Sequence, residues 1–114
     1  MEGKIIDLTE STLKHFVESI RPVEPEIRAQ IDFGYSYDGK NIEIFEIRPF
    51  MDDPSEIIKS PFAKIRFNKT KRVLSLYWKR ANDTWEHYKP HTESTHLEDL
   101  LKTIAGDKTG CFFG

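Results

Sequence analysis

Apolar residues recur at helical spacing near the start of the chain. The set at positions i, i+3, i+4 and i+7 is Leu13, Phe16, Val17 and Ile20. This spacing predicts an amphipathic helix over residues 9–20, with its apolar stripe facing the core. Thr9 or Asp7 has the side chain typical of a helix N-cap. Pro22 and Pro25 then end the helix, because proline lacks the N–H that would continue it.

Alternating apolar and polar residues follow, which is typical of β-strands. The sequence predicts a first hairpin with strands over residues 30–37 and 40–49, joined by an Asp-Gly turn at 38–39. A two-residue turn there places Tyr35 opposite Ile42. One face of the hairpin then carries Ile31, Phe33, Tyr35, Ile42 and Ile44, with Glu46 and Arg48 at its far end.

A loop separates this hairpin from the next one. Residues 50–61 contain two prolines, and they indicate a loop in which Ile57 and Ile58 pack down as an anchor. The second hairpin is predicted over residues 62–68 and 72–79.

The second hairpin has one apolar and one polar face. Pairing Asn68 with Lys71 across a turn at residues 69–70 sets its register. The apolar face carries Ala63, Ile65, Phe67, Leu74, Leu76 and Trp78. The polar face carries Lys64, Arg66, Val73, Ser75, Tyr77 and Lys79. Because the alternation is clean, we expect the first face in the core and the second in water.

A third turn at residues 82–83 leads into a short strand over residues 84–89. With this turn, Glu86 and Tyr88 are expected to join the polar face of the second hairpin. The opposite face then receives Trp78, Arg80, Trp85 and His87, with both tryptophans in the core and Arg80 stacked on Trp85.

A second amphipathic helix is predicted near the end of the chain. Residues 95–98 have the spacing of a capping box, and Gly106 is typical of the residue that follows a helix. The apolar residues at helical spacing between them are Leu97, Leu100, Leu101 and Ile104. Phe112 and Phe113 in the tail are expected to pack back onto the sheet.

These elements predict the fold class. The order is one helix, about five antiparallel strands in a meander, and a second helix. Two amphipathic helices and a sheet with one apolar face make a two-layer α+β sandwich. We expect residues 1–114 to form a single domain, since 114 residues fit one domain and not two.

Composition excludes several classes of protein. No run approaches the ~18 apolar residues that a membrane span needs, so no membrane partner is expected. The opening residues 1–12 lack the apolar stretch of a secretory signal. A single cysteine, Cys111, cannot form an intrachain disulfide, and its role stays open. We therefore expect a cytoplasmic location.

Charge is unevenly distributed along the chain. Residues 1–58 contain six Lys or Arg and thirteen Asp or Glu, whereas residues 59–90 contain nine Lys or Arg and two Asp or Glu. The two segments therefore carry −7 and +7, although the whole chain carries −2. A basic segment of this kind attracts an anionic partner. The alternative is that the acidic and basic segments face each other.

The polar face of the second hairpin and its turn indicate a nucleic-acid-binding surface. The residues concerned are Lys64, Arg66, Lys69, Lys71, Arg72, Tyr77 and Lys79. Lys and Arg neutralise phosphates, and Tyr can stack on bases. The function predicted first is a non-catalytic binding module for nucleic acid. An ordinary solvated sheet face is the simpler alternative.

A small nuclease or hydrolase is the alternative function, with Glu46, Arg48 and His87 as the catalytic residues. Glu46 and Arg48 lie two apart on one strand, so they share a face. The same spacing also fits a structural ion pair at the end of the sheet. In that case loss of Glu46 destabilises the fold by several kcal/mol if the pair is buried.

No metal site or cofactor is predicted. Arg48 stands where a metal-dependent nuclease would need a lysine beside the attacking water, and arginine does not replace it. The spacings between His87, His91 and His96 resemble ligand spacings, but no single helix face aligns them. A third functional class is a protein–protein adaptor or a homodimer formed through an exposed strand edge.

Several spaced motifs resemble one family of short bacterial proteins. They are IRAQIDFGY (27–35), EIFEIRP (43–49), DPSE (53–56), LYWKRANDTWEHYKP (76–90) and GCFFG (110–114). The family is described only as a domain of unknown function, so the resemblance implies a compact, stand-alone bacterial protein and no activity. The polar positions that match the family are Arg28, Asp32, Glu46, Arg48, Arg80 and Tyr88.

Overall fold

The computed structural model describes the backbone of residues 2–113 and the side chains of residues 9–113. Its helices are α1 (Glu2–Ile20), α2 (Pro25–Arg28) and α3 (Leu97–Gly106). Its strands are β1 (Asp32–Tyr37), β2 (Asn41–Pro49), β3 (Ile57–Asn68), β4 (Val73–Lys79), β5 (Trp85–His87) and β6 (Glu93–Ser94). A single 3-10 turn at Lys89–His91 separates β5 from β6.

The strands form one antiparallel sheet in the order β1-β2-β3-β4-β5, with β6 pairing β4 beside β5. Each strand therefore lies next to the strand that precedes it in the chain, apart from the two-residue β6. The predicted α+β fold, with a meander between an N-terminal and a C-terminal helix, is confirmed. The edges of the sheet are β1 on one side and the short strands β5 and β6 on the other.

The helices cover one face of the sheet, which we call the covered face. The core between the two layers contains Leu13, Ile42, Ile44, Phe62, Ala63, Ile65, Leu76, Tyr88, Leu100, Leu101, Ile104 and Phe112. Leu13 comes from α1, and three of these residues come from α3. Alternate residues of β2, β3 and β4 point to this face, as their predicted periodicity requires. Burial of these apolar side chains is the main stabilising contribution to the fold.

The two long hairpins are paired two residues away from their predicted registers. Tyr35 lies opposite Ile44, and Asn68 lies opposite Val73. In the first turn Gly39 has φ +94°, and the Asp38 carboxylate accepts hydrogen bonds from the N–H groups that follow. Because side chains alternate with a period of two, a shift of two residues leaves every side chain on its predicted face.

The loop prediction for residues 50–61 is wrong in its second half. β3 begins at Ile57, and a β-bulge opposite Ile44 and Phe45 accommodates one extra residue. Ile57 and Ile58 are 60% and 44% exposed, so they do not act as a buried anchor. The far end of the β2–β3 hairpin extends beyond the area that the helices cover.

The predicted helix ends also need correction. α1 begins at Glu2, so Thr9 lies inside the helix and is not its cap; the side chain of Asp7 lies outside the described residues. His96 is the N-cap of α3 and forms no capping hydrogen bond, so the capping box is not formed. The left-handed residue after α3 is Asp107, with φ +42°, in place of Gly106.

Asp107 also holds the C-terminal tail on the sheet. Its carboxylate accepts hydrogen bonds from the N–H groups of Phe112 and Phe113, at 3.0 and 2.8 Å. The Phe112 ring packs 4.8 Å from the Tyr88 ring, and Phe113 contacts Phe33 edge-on at 5.8 Å between centroids. The prediction that the tail aromatics pack back onto the sheet is confirmed.

Candidate nucleic-acid interface

The second face of the sheet lies opposite the apolar core, and we call it the open face. At its β1–β2 end α1 lies beside it, where Lys14 and Val17 share a pocket with Phe45 and Ile47. Lys64 lies opposite Tyr77, and Arg66 lies opposite Ser75, so these side chains share the open face as the sequence predicted. Arg66 is exposed, whereas Lys64 and Tyr77 are half-buried. Alternation along β3 and β4 therefore collects positive charge on one surface.

Trp85 and His87 also lie on the open face, which contradicts their predicted place on the opposite face and the predicted burial of Trp85 in the core. Lys79 is paired with Trp85, and Tyr77 is paired with His87. The predicted turn implied the neighbouring register, and a shift of one residue exchanges the two faces. By the same shift Tyr88 lies in the core, 2% exposed, not on the polar face.

The loop between β4 and β5 causes this shift. The Arg80 N–H donates to the Thr84 carbonyl at 2.8 Å, which leaves three residues in the loop. The last of them, Asp83, adopts a left-handed conformation with φ +66°. A three-residue loop with its last residue left-handed is the next most common hairpin connection after the two-residue turn.

Two lysines flank the Trp85 ring. The Lys64 Nζ lies 5.8 Å from the ring centroid, and the Lys79 Nζ lies 5.7 Å from it. Both distances are within the range of a cation–π interaction. This ring and its two charges therefore form a platform on three adjacent strands.

Tyr77 and His87 form an aromatic pair beside this platform. The rings of Tyr77 and His87 lie 4.5 Å apart between centroids, at an interplanar angle of 34°. His87 is exposed and Tyr77 is half-buried. The open face therefore places stacked rings and cations side by side, which is the combination that single-stranded nucleic-acid sites use.

Few carboxylates offset the positive charge of this surface. Lys79 Nζ is 3.8 Å from the Asp83 carboxylate, whose side chain is 87% exposed, so the pair is weak. Glu43 lies opposite Lys64, and Glu93 lies opposite Ser75, each on the neighbouring strand. Within residues 9–113, neither Lys64 nor Arg66 forms an ion pair.

The three remaining basic residues of the prediction lie in the loop between β3 and β4. Lys69, Lys71 and Arg72 are all exposed. The Lys71 N–H donates to the Asn68 side-chain carbonyl at 3.1 Å, and Arg72 has φ +56°. The loop therefore adds positive charge at one end of the open face.

The structure does not bring all three residues of the alternative hydrolase site together. Arg48 Nε donates to Glu46 Oε1 at 3.0 Å, so these two do form an ion pair at the far end of β2. The side chains are 57% and 26% exposed for Arg48 and Glu46. By register Glu46 belongs to the covered face, whereas His87 belongs to the open face and lies three strands away.

The other polar positions that match the family motifs make contacts within the protein. Tyr88 Oη lies 3.0 Å from the Thr109 hydroxyl, next to the tail. Arg28 Nε donates to the Pro22 carbonyl at 2.9 Å. Arg80 lies 3.5 Å from the Glu86 carboxylate and is not stacked on Trp85 as the sequence predicted.

Sequence reasoning missed the ion pair that joins the end of α1 to β1. Arg21 donates from Nε and Nη2 to both oxygens of Asp32, at 2.8 and 3.0 Å. These hydrogen bonds hold the pKa of Asp32 below its usual value, and the Phe33 N–H adds to the effect. They likewise raise the pKa of Arg21. Contact between residues eleven apart gives no signal in a periodic pattern.

In the part of the chain with described side chains, no group of three His, Cys, Asp or Glu residues lies close enough to hold a metal ion. His91 Nδ1 contacts the Thr103 hydroxyl at 2.6 Å, which uses one ring nitrogen. Cys111 is half-buried beside the core and forms no disulfide among the described residues. No described helix is both long and apolar enough to cross a membrane.

Comparison with known proteins assigns a family without an activity. No curated protein matches the chain, and no solved structure matches it. The model of the domain-of-unknown-function family DUF3024 matches residues 3–114, nearly the whole chain. The predicted membership of a family of unknown function is thus confirmed, and the chain belongs to the DUF3024 family.

Proposed function

We propose that the protein is a non-catalytic module that binds single-stranded nucleic acid on the open face of its sheet. The observation that carries the proposal is the Trp85 ring flanked by Lys64 and Lys79 on the face opposite the apolar core. Unpaired bases stack on aromatic rings, and the neighbouring phosphates bind the cations.

The shape of the surface favours an unpaired strand over a duplex. The rings of Trp85 and Tyr77 come from neighbouring strands of a sheet, so they lie on an extended surface and not at the tip of a narrow ribbon. A duplex keeps its bases stacked on each other, which leaves aromatic platforms without a partner. A single strand presents its bases and its phosphates to the same surface.

Charge supports the same partner. The basic segment 59–90 carries +7, and it supplies most of β3 and all of β4 and β5, which make up most of the open face. Each phosphate that a lysine or arginine neutralises releases counterions, so binding should weaken with salt. For four such contacts with a single strand, the logarithm of the association constant should fall with a slope of about −3 against the logarithm of salt concentration.

The test is fluorescence anisotropy with a labelled single-stranded oligonucleotide at two salt concentrations. Lys64→Glu should weaken binding at least about tenfold, because it reverses a charge at the centre of the site. Trp85→Ala should weaken it by about 5- to 150-fold, the effect of losing one stacked base.

Lys102→Glu is the matched control, since it makes the same charge change on α3, which packs on the covered face. Its affinity should stay within about twofold of wild type. Equal losses in Lys64→Glu and Lys102→Glu would mean a general charge effect and would overturn the proposal. Absence of binding at tens of micromolar protein in low salt would do so as well.

A further inference from the structure

A pocket lies where the open face meets the loop between β3 and β4. Its volume is about 310 Å³. The side chains that matter for its chemistry are Lys40, Arg66, Lys69, Thr70, Ser75 and Tyr77. Tyr77 belongs to both the pocket and the aromatic platform, so the two features are continuous.

The pocket is lined by positive charge. Lys40, Arg66 and Lys69 contribute three cations, and among residues 9–113 its lining contains no Asp or Glu, although Glu93 of β6 lies opposite Ser75. In the described portion of the chain, none of these three cations forms an ion pair. These cations are available to an anion. Because like charges held close together repel each other, a bound anion would stabilise the three of them.

A hydroxyl group adds a hydrogen-bond donor to the charges. Ser75 is only 6% exposed and lines the pocket from β4, beneath Arg66 of the neighbouring strand. Among residues 9–113, nothing hydrogen-bonds its hydroxyl. A guanidinium group, two ammonium groups and a hydroxyl are the donors that a phosphate group requires.

The position of the pocket favours the end of a bound nucleic-acid strand over its middle. Ser75, Tyr77 and Lys79 follow one another at two-residue steps of about 7 Å along β4. Ser75 in the pocket therefore lies roughly 13 Å along the row from Lys79, which is paired with Trp85. Residues 68–70 line the pocket at the end of this row, so the end of a nucleic-acid strand lying along the row reaches it.

We propose that the pocket binds a phosphate monoester, and that its source is the terminal phosphate of the nucleic-acid strand on the open face. A terminal monoester carries about −1.5 to −2 charges and three free oxygens, whereas an internal diester carries one charge. Three cations match the monoester better. The inference rests on the proposed function for the source of the phosphate, but not for the pocket itself.

The first test compares one single-stranded oligonucleotide with a 5′-phosphate, with a 3′-phosphate and with hydroxyls at both ends. A terminal phosphate at one of the ends should raise the affinity about tenfold or more. Lys69→Gln and Arg66→Gln should each remove most of that preference. Lys71→Gln is the matched control, because it lies in the same loop but does not line the pocket; it should keep the preference.

The second test follows the backbone amide signals of residues 68–70 by NMR during titration with inorganic phosphate, with sulfate at the same ionic strength as the comparison. Saturable shifts with phosphate that Arg66→Gln abolishes support the pocket. No shift with phosphate, together with no preference for phosphorylated ends, overturns it.

The two proposals fail in different ways. Equal binding of all three oligonucleotides overturns the terminal phosphate as the ligand of the pocket and leaves nucleic-acid binding by the open face intact. Saturation by inorganic phosphate without binding of any oligonucleotide overturns the nucleic-acid source and the proposed function together. In that case a free phosphate monoester is the ligand, and a nucleoside monophosphate titrated in the same way should saturate the same amides.

Discussion

The two faces of this sheet come from the same strands and perform different tasks. Ile65 and Leu76 are 0% exposed on the covered face, whereas their neighbours in sequence, Lys64 and Tyr77, lie on the open face. The covered face gains its free energy from apolar burial. The open face keeps cations and rings in contact with water. Alternation along a strand therefore separates the residues that fold the protein from those available for a ligand.

The largest expected effect tests the covered face. Ile65→Ala should lower the free energy of unfolding by about 3 kcal/mol, because it leaves a cavity among fully buried side chains. Urea denaturation followed by circular dichroism measures this change. The decrease is a large share of the roughly 5–15 kcal/mol that stabilises a domain.

Lys64→Ala is the control at the adjacent position. It should change the free energy of unfolding by less than about 1 kcal/mol, since its ammonium group stays near water. It should nevertheless weaken oligonucleotide binding, which Ile65→Ala should preserve in the folded fraction. Similar losses of stability in the two variants would contradict the separation of the faces.

The sequence was sufficient to assign the faces of β2, β3 and β4, although it gave the wrong registers. The turn after Tyr37 and the loop after Asn68 each shift the pairing by two residues, and such a shift preserves the faces. The loop before Thr84 shifts the pairing by one residue, and it moved Trp85 from the predicted core to the open face. A loop length that differs by one residue is a small energetic difference, but its effect on the site is large.

The candidate site was therefore only partly predictable. The basic residues of the second hairpin were found because charge and alternation are visible in sequence. Trp85 and His87 were placed on the wrong face, and the pocket was missed. Lys40 reaches it from another hairpin, and Ser75 gave no signal beyond its place in a strand. Contacts between segments distant in sequence are decided by packing, not by local pattern.

A medium effect on stability is expected at Asp32, which lies at the edge of the open face. Its carboxylate binds Arg21 at the end of α1. Asp32→Asn should lower the free energy of unfolding by roughly 1 kcal/mol at pH 7, because the neutral amide loses the ion pair. Thermal unfolding of both proteins between pH 2.5 and 7 measures the difference.

The sign of the pH dependence follows from the pKa. The folded protein holds the pKa of Asp32 below its usual value of 3.8, so the ionised form stabilises the fold. This stability is fully present above pH 3.8 and is lost as the pH falls through the lower folded pKa. The gap between wild type and Asp32→Asn should therefore close at low pH. A gap that is constant from pH 7 to pH 2.5 would show that the ion pair is not its cause.

The smallest effect on stability is expected at Glu46, because a position on the covered face does not by itself bury a side chain. Glu46 faces the helix side by register, but it lies at the uncovered end of β2 and pairs with the exposed Arg48. Glu46→Ala should lower the free energy of unfolding by less than about 1 kcal/mol, as for other exposed ion pairs. Urea denaturation of Glu46→Ala, Arg48→Ala and the double variant measures the coupling between the two residues. A loss of several kcal/mol in either single variant would mean that the pair is buried, and that the covered face extends to the end of the hairpin.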